Sequence, residues 1–91
     1  MLVTFDPVKS KRNEVERGIP FNLALEFDWS TALVAEDMRH DYSERRFQAV
    51  GFIDERLHVL VFTPRDQGVH VISLRKANGR ERTRYATHNQ T

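Results

Sequence analysis

Four short apolar runs separated by polar connections occupy residues 31–74, and helical spacing appears only on either side of this block. Residues 58–63, His-Val-Leu-Val-Phe-Thr, are rich in β-branched and aromatic side chains and predict the clearest strand of the chain. Residues 31–35, 46–53 and 69–74 predict three more. The acidic stretch 36–44 reads as a loop. Asp54-Glu55-Arg56 and residues 64–68 read as turns. Connections this short join antiparallel neighbours.

Ahead of the block, residues 2–5 predict a first strand, and Asp6-Pro7 predicts a helix start. Asp accepts from the first free amides, and Pro needs no amide partner at the first helical position. That helix should run over 6–17 and stop at Gly18, which tolerates the left-handed cap. Val8, Val15 and Ile19 mark its thin apolar stripe. A second helix is expected over 20–27, with Phe21, Leu23, Ala24, Leu25 and Phe27 on a wide apolar face. After the block, Asn78 and Glu81 stand at capping-box spacing and predict a short C-terminal helix, frayed over residues 86–91. The architecture is therefore α+β: a twisted, mainly antiparallel sheet with the two N-terminal helices packed on it.

The 91 residues fit one domain and cannot bury a second core. The composition, 40% hydrophobic and 30% charged, is that of a globular protein. Cysteine is absent, which excludes disulfides and thiolate metal sites and favours a reducing compartment. No signal-peptide pattern or membrane-length apolar run is present, so a cytoplasmic location away from membranes is expected. Net charge is only +1, yet Arg75, Lys76, Arg80, Arg82 and Arg84 near the C-terminus face one acid, Glu81. Such an end suits a polyanion or an acidic protein, or is simply a solvated helix face.

Three blocks carry a family likeness. They are Phe5-Asp6-x-x-Lys9-x-x-x-Asn13-x-x-x-x-Gly18-Ile19-x-Phe21-x-x-Ala24, then Arg39-His40-Asp41-Tyr42-Ser43-Glu44-x-Arg46-Phe47, then Ile72-Ser73-x-Arg75-Lys76-Ala77-Asn78-x-x-Glu81-Arg82-x-x-Tyr85. In this order they resemble the signatures of the BrnT toxins, with departures at Glu16-Arg17, Ser43 and Leu74. The resemblance implies a RelE-like fold and a toxin of a type II toxin–antitoxin pair that cleaves RNA without a metal and arrests growth. It also implies a BrnA-like ribbon-helix-helix antitoxin as partner, with operator DNA bound only through the complex.

Metal-free RNA cleavage needs a proton acceptor for the 2′-hydroxyl and cations for the charge that develops on phosphate. Guanidinium groups grip phosphate with two hydrogen bonds. Arg75 and Lys76 at a strand end beside a helix start, with Arg46 from another strand, are the first candidates; each also reads as a surface charge paired with an acid. Glu81 and Tyr85 share a helix face. Glu81 reads equally as a capping acid, and Tyr85 as core packing or as a base-stacking or proton-donating residue. Arg80, Arg82 and His40 are candidates for RNA contact. Asp41 and Glu44 read as acids orienting Arg45 or Arg46. Lys9, Asn13 and Arg17 form a polar stripe that holds the turn after Gly18 or faces a partner. His58 and His70 alternate with apolar residues and read as ordinary strand histidines. No histidine pair has helical i, i+4 spacing, so neither a metal site nor a cofactor is expected. Two other readings stay open: a non-catalytic RNA-binding or translation-regulating module, and a domain that only stabilises a partner.

Overall fold

A computed structural model of the chain describes residues 1–89. Strand β1 (Leu2–Phe5) leads into helix α1 (Pro7–Arg17). The Asp6 carboxylate accepts from the Val8 amide at 2.9 Å, and Gly18 closes the helix at φ 72°, donating to the Glu14 carbonyl at 2.8 Å. Polar groups attach α1 to the rest. The Ser10 hydroxyl accepts from the Phe21 amide at 2.8 Å, and the Asn13 amide donates to the carbonyls of Ile19 and Leu74 at 2.6 and 2.8 Å. The apolar stripe expected on α1 is not buried as such: Val8 and Val15 face solvent, and only Ile19 enters the core.

The second expected helix is a 3-10 helix, Phe21–Glu26, rather than an α-helix. Its buried side chains Phe21 and Ala24, with the C-cap Phe27, recur every three residues, which is the 3-10 repeat. Pro20 before it supplies no side-chain cap, and Leu25 stays exposed. A further 3-10 turn, Trp29–Thr31, is held by the Asp28 carboxylate accepting from the Ser30 amide at 3.0 Å, so the next strand starts later than the sequence suggests.

Strands β2 (Leu33–Glu36), β3 (Phe47–Ile53), β4 (Arg56–Arg65) and β5 (Gly68–Lys76) complete a five-stranded sheet in the order β1-β5-β4-β3-β2. All neighbours are antiparallel except β1 and β5, which pair in parallel. Pro64, expected in a turn, lies inside β4. The β3 ladder ends at Phe47↔Phe62, so the amide Pro64 lacks is not required on that side.

Strand alternation gives the sheet two faces. On the first, Ala49, Ile53, Leu60, Phe62, Val69, Val71 and Leu74 pack under Ile19, Phe21, Ala24 and Phe27. Leu60, Leu74, Val59 and Val71 are the largest fully buried side chains, each contributing about 1.5–3 kcal/mol by burial. A register shift opposite Val61/Phe62 leaves Ile72 unpaired, so Leu74 returns to the same face as Val69 and Val71. On the second face a smaller cluster, Leu57, Val59 and Ala77 with Val50 and Phe52, packs against Tyr85 of helix α2 (Gly79–His88). Helix α2 continues through Ala86 to His88 where fraying is expected, and the Asn89 amide closes it on the Tyr85 carbonyl at 3.2 Å. The remainder of the expected tail, residues 90–91, lies outside the described residues.

Candidate functional site

The second sheet face collects most of the candidate residues, in two groups. At one end stand Arg75, Glu81 and Tyr85. Arg75 sits on β5 level with Val59 and Val50, and its guanidinium grips Glu81 of α2 with two hydrogen bonds, 2.8 and 2.7 Å. Glu81 also accepts from the Asn78 amide at 2.9 Å while the Asn78 side chain accepts from the Glu81 amide at 2.8 Å, which completes the capping box. The Arg75 hydrogen bonds, above all, hold the Glu81 carboxyl down at about 2. The Tyr85 ring meets Phe52 edge-on at 5.6 Å, and its hydroxyl donates to the Thr31 carbonyl at 2.8 Å. Tyr85 packs, as one reading of it has it, and its hydroxyl is taken up by a backbone carbonyl.

Two expectations need correcting here. Arg75 and Lys76 are successive strand residues, so they project to opposite faces, and Lys76 pairs in register with His58. They do not converge on one phosphate. Nor are the amides at the start of α2 all free, because the capping box takes those of Asn78 and Glu81. Arg82 turns back to the Ala77 carbonyl at 3.1 Å, and Arg80 is exposed at the first turn of α2.

At the other end stands Arg46, one residue before β3. Its carbonyl accepts from the Asp37 amide at 2.7 Å, which extends the β2–β3 ladder. Its guanidinium lies over the Tyr42 ring, 4.1 Å from the centroid, and makes no ion pair or hydrogen bond among the described residues. Nε of Arg46 is buried without a partner. Of the two acids expected to orient Arg45 or Arg46, Glu44 is committed elsewhere and Asp41 forms no ion pair among the described residues. Glu36 holds Arg45 at 2.8 Å, Asp37 holds Arg39 at 2.8 Å, and Glu44 pairs with Arg65. Hydrogen bonds from Arg39 push the Asp37 carboxyl well below the usual range. His40 is exposed and meets Tyr42 edge-on at 5.7 Å, which puts it beside the Arg46 group.

Strand register links these groups. One residue past the Phe47↔Phe62 pair, Arg46 stands beside Thr63, and Thr63 pairs with His70, which pairs with Thr4. The row Arg46, Thr63, His70, Thr4 therefore crosses the second face. Arg75 lies about 13 Å further along the strands and two strands over from Arg46, roughly 10 Å. His70 was legible only as an alternating strand histidine; its membership of this row depends on pairings between distant segments. Asn13, from the polar stripe of α1, holds the turn after Gly18. His58 is buried, its Nδ1 donates to the Arg56 carbonyl at 2.8 Å, and burial lowers its pKa. No group of three or more His, Asp or Glu side chains among the described residues is placed to hold a metal ion.

A five-stranded, mostly antiparallel sheet with one half-polar, arginine-bearing face defines a small α+β domain. The family model described as "Ribonuclease toxin, BrnT, of type II toxin-antitoxin system" matches residues 5–81, and the chain belongs to that family. Membership brings an RNA substrate and an antitoxin partner. Neither a curated protein nor a solved structure matches the chain. Among the described residues, no helix is long and apolar enough to cross a membrane.

Proposed function

We propose that this protein is a metal-independent endoribonuclease of RelE-like architecture that works on the second sheet face and arrests growth in the cytoplasm. The observation that carries the reading is Arg46: a cation in no ion pair or side-chain hydrogen bond among the described residues, stacked on Tyr42 beside a half-polar sheet face, in a ribonuclease toxin family. An arginine held in place without a partner is ready to bind phosphate and to stabilise the charge of the transition state. Arg75 is the second cation, oriented by Glu81. Tyr85 seats α2 so that Arg75 keeps its place. His40 and Tyr42 flank Arg46 where a base would lie, while Arg80 and Arg82 border the face with positive charge for the RNA backbone. Lys76, on the opposite face, serves charge rather than chemistry. The 2′-hydroxyl attacks the adjacent phosphorus, and the products are a 2′,3′-cyclic phosphate and a 5′-hydroxyl.

A BrnA-like ribbon-helix-helix antitoxin neutralises the toxin, and operator DNA is bound by the complex alone. The test is incubation of the purified protein with an RNA oligonucleotide in EDTA. Cleavage with a cyclic phosphate end, and resistance of a substrate with a 2′-deoxy nucleotide at the cut, are the expected results. Binding without cleavage would return the protein to a non-catalytic RNA-binding module.

A further inference from the structure

We propose that His70 is the proton acceptor of this ribonuclease, working with Arg46 from the same cross-strand row; the inference rests on the reading given under Proposed function. His70 lies on β5 between Val69 and Val71, whose side chains enter the first-face core, so its own ring stands on the second face. It is partly exposed and therefore reachable by substrate. Its Nδ1 lies 2.8 Å from the hydroxyl of Thr4, which comes from a strand 66 residues away in sequence. When Nδ1 donates to that hydroxyl, the ring is held in one orientation and Nε2 keeps its lone pair, as a general base requires.

The neighbours in the row complete the arrangement. Thr63, buried, separates His70 from Arg46, so the imidazole and the guanidinium rise from strands about 10 Å apart with a small side chain between them. A phosphodiester lying across this row would meet Arg46 on one side and present its 2′-hydroxyl to His70 on the other. Among the described residues, His40, His58 and His88 have no comparable pairing; His88 is exposed in the last turn of α2. His40 is on the exposed loop, and His58 is buried on the opposite face with Nδ1 engaged by Arg56.

Nε2 of His70 takes the 2′-hydroxyl proton as O2′ bonds to phosphorus. The P–O5′ bond breaks, and the leaving oxygen takes a proton from water. The resulting hydroxide neutralises the imidazolium. The products are a cyclic phosphate and a 5′-hydroxyl, with the base restored.

The test uses the full chain and a mixed-sequence RNA oligonucleotide under single-turnover conditions, with three readouts: cleavage rate, affinity for the all-2′-deoxy analogue, and thermal melting. His70→Gln keeps a hydrogen-bonding atom near Thr4 but accepts no proton. Its rate should fall about a hundredfold to ten-thousandfold, with affinity and melting unchanged. His70→Ala should fall equally and recover in part when imidazole is added to the buffer. Wild-type rate in His70→Gln would overturn the proposal, as would a loss of affinity that matches the loss of rate, or a folded His70→Ala that ignores imidazole. If wild type binds RNA and never cuts it, the ribonuclease reading itself falls and takes this one with it. Cleavage by wild type and His70→Gln alike removes only His70.

Discussion

Arg75 and Glu81 meet side by side, with Nη1 2.8 Å from one carboxylate oxygen and Nη2 2.7 Å from the other. One residue ends the sheet and the other opens α2, so the pair is both a clamp on the helix and a brace on the guanidinium. The two roles separate by substitution. Arg75→Ala removes the clamp and the cation, and should lower stability by about 1 kcal/mol, since the pair is partly solvent-exposed, while cleavage falls about a hundredfold or more. Glu81→Gln removes the ion pair but leaves a side-chain oxygen for Arg75 or the Asn78 amide. It should retain most cleavage activity, with a melting temperature between the other two. Melting curves and cleavage rates on one RNA check both.

Acid should loosen the fold in two stages. The pKa of His58 is lowered by burial from its usual 6.5, so the unfolded chain takes up that proton first and stability declines as pH falls below about 6.5. Glu81 is held at about 2 against an ordinary 4.5, so its contribution is complete above 4.5 and is lost as pH falls from there toward 2. Urea unfolding midpoints measured between pH 7 and pH 3 should decline through both windows. His58→Gln should flatten the upper window, and Glu81→Gln the lower.

Arg46→Ala should cost catalysis far more than stability. The stacked Tyr42 contact is worth about 0.5–1 kcal/mol, whereas loss of one transition-state donor typically lowers the rate about a hundredfold to a thousandfold. Arg46→Lys should restore only part of the rate, because an ammonium keeps the charge without the two-pronged grip. Equal cleavage by wild type and a folded Arg46→Ala would exclude Arg46 from the site.

Gly51→Ala should disturb the first-face core. A Cβ at that position would stand 2.7 Å from the Phe27 ring and 3.2 Å from the Asp28 carbonyl. Overpacking of this kind costs about 1–3 kcal/mol and should appear as a lower midpoint in urea unfolding, with Trp29 fluorescence as the probe because its ring meets Phe27 at 4.8 Å.

Local chemistry made much of the fold readable. Asp6 with Pro7, Gly18, and Asn78 with Glu81 mark helix ends by contacts within a few residues, and the 58–63 run needs only its own side chains to be a strand. What escaped depends on distance or on fine spacing. Phe21, Leu23, Ala24 and Leu25 suit an α-helix as well as a 3-10 helix until burial selects every third residue. Pro64 looks like a turn residue until the β3 ladder is seen to end beside it. The chemistry divides likewise. Arg46 and Arg75 were visible as cations, but which of them is paired follows from where Glu81, Glu44 and Glu36 come to rest. Lys76 is separated from Arg75 by strand alternation, and His70 joins Arg46 only through pairings among three strands.

The parallel pairing of β1 with β5 has a temporal side. Leu2 to Phe5 find their partners at Gly68 to Val71, so the first strand to leave the ribosome is the last able to join the sheet. Contacts that span so much of a chain form late. The β3, β4 and β5 hairpins can assemble while β1 waits, but the Thr4–His70 bond forms only when β1 and β5 meet. On the reading proposed above, a nascent toxin is inert until β5 has been made. An antitoxin already present then has a whole round of translation in which to be waiting.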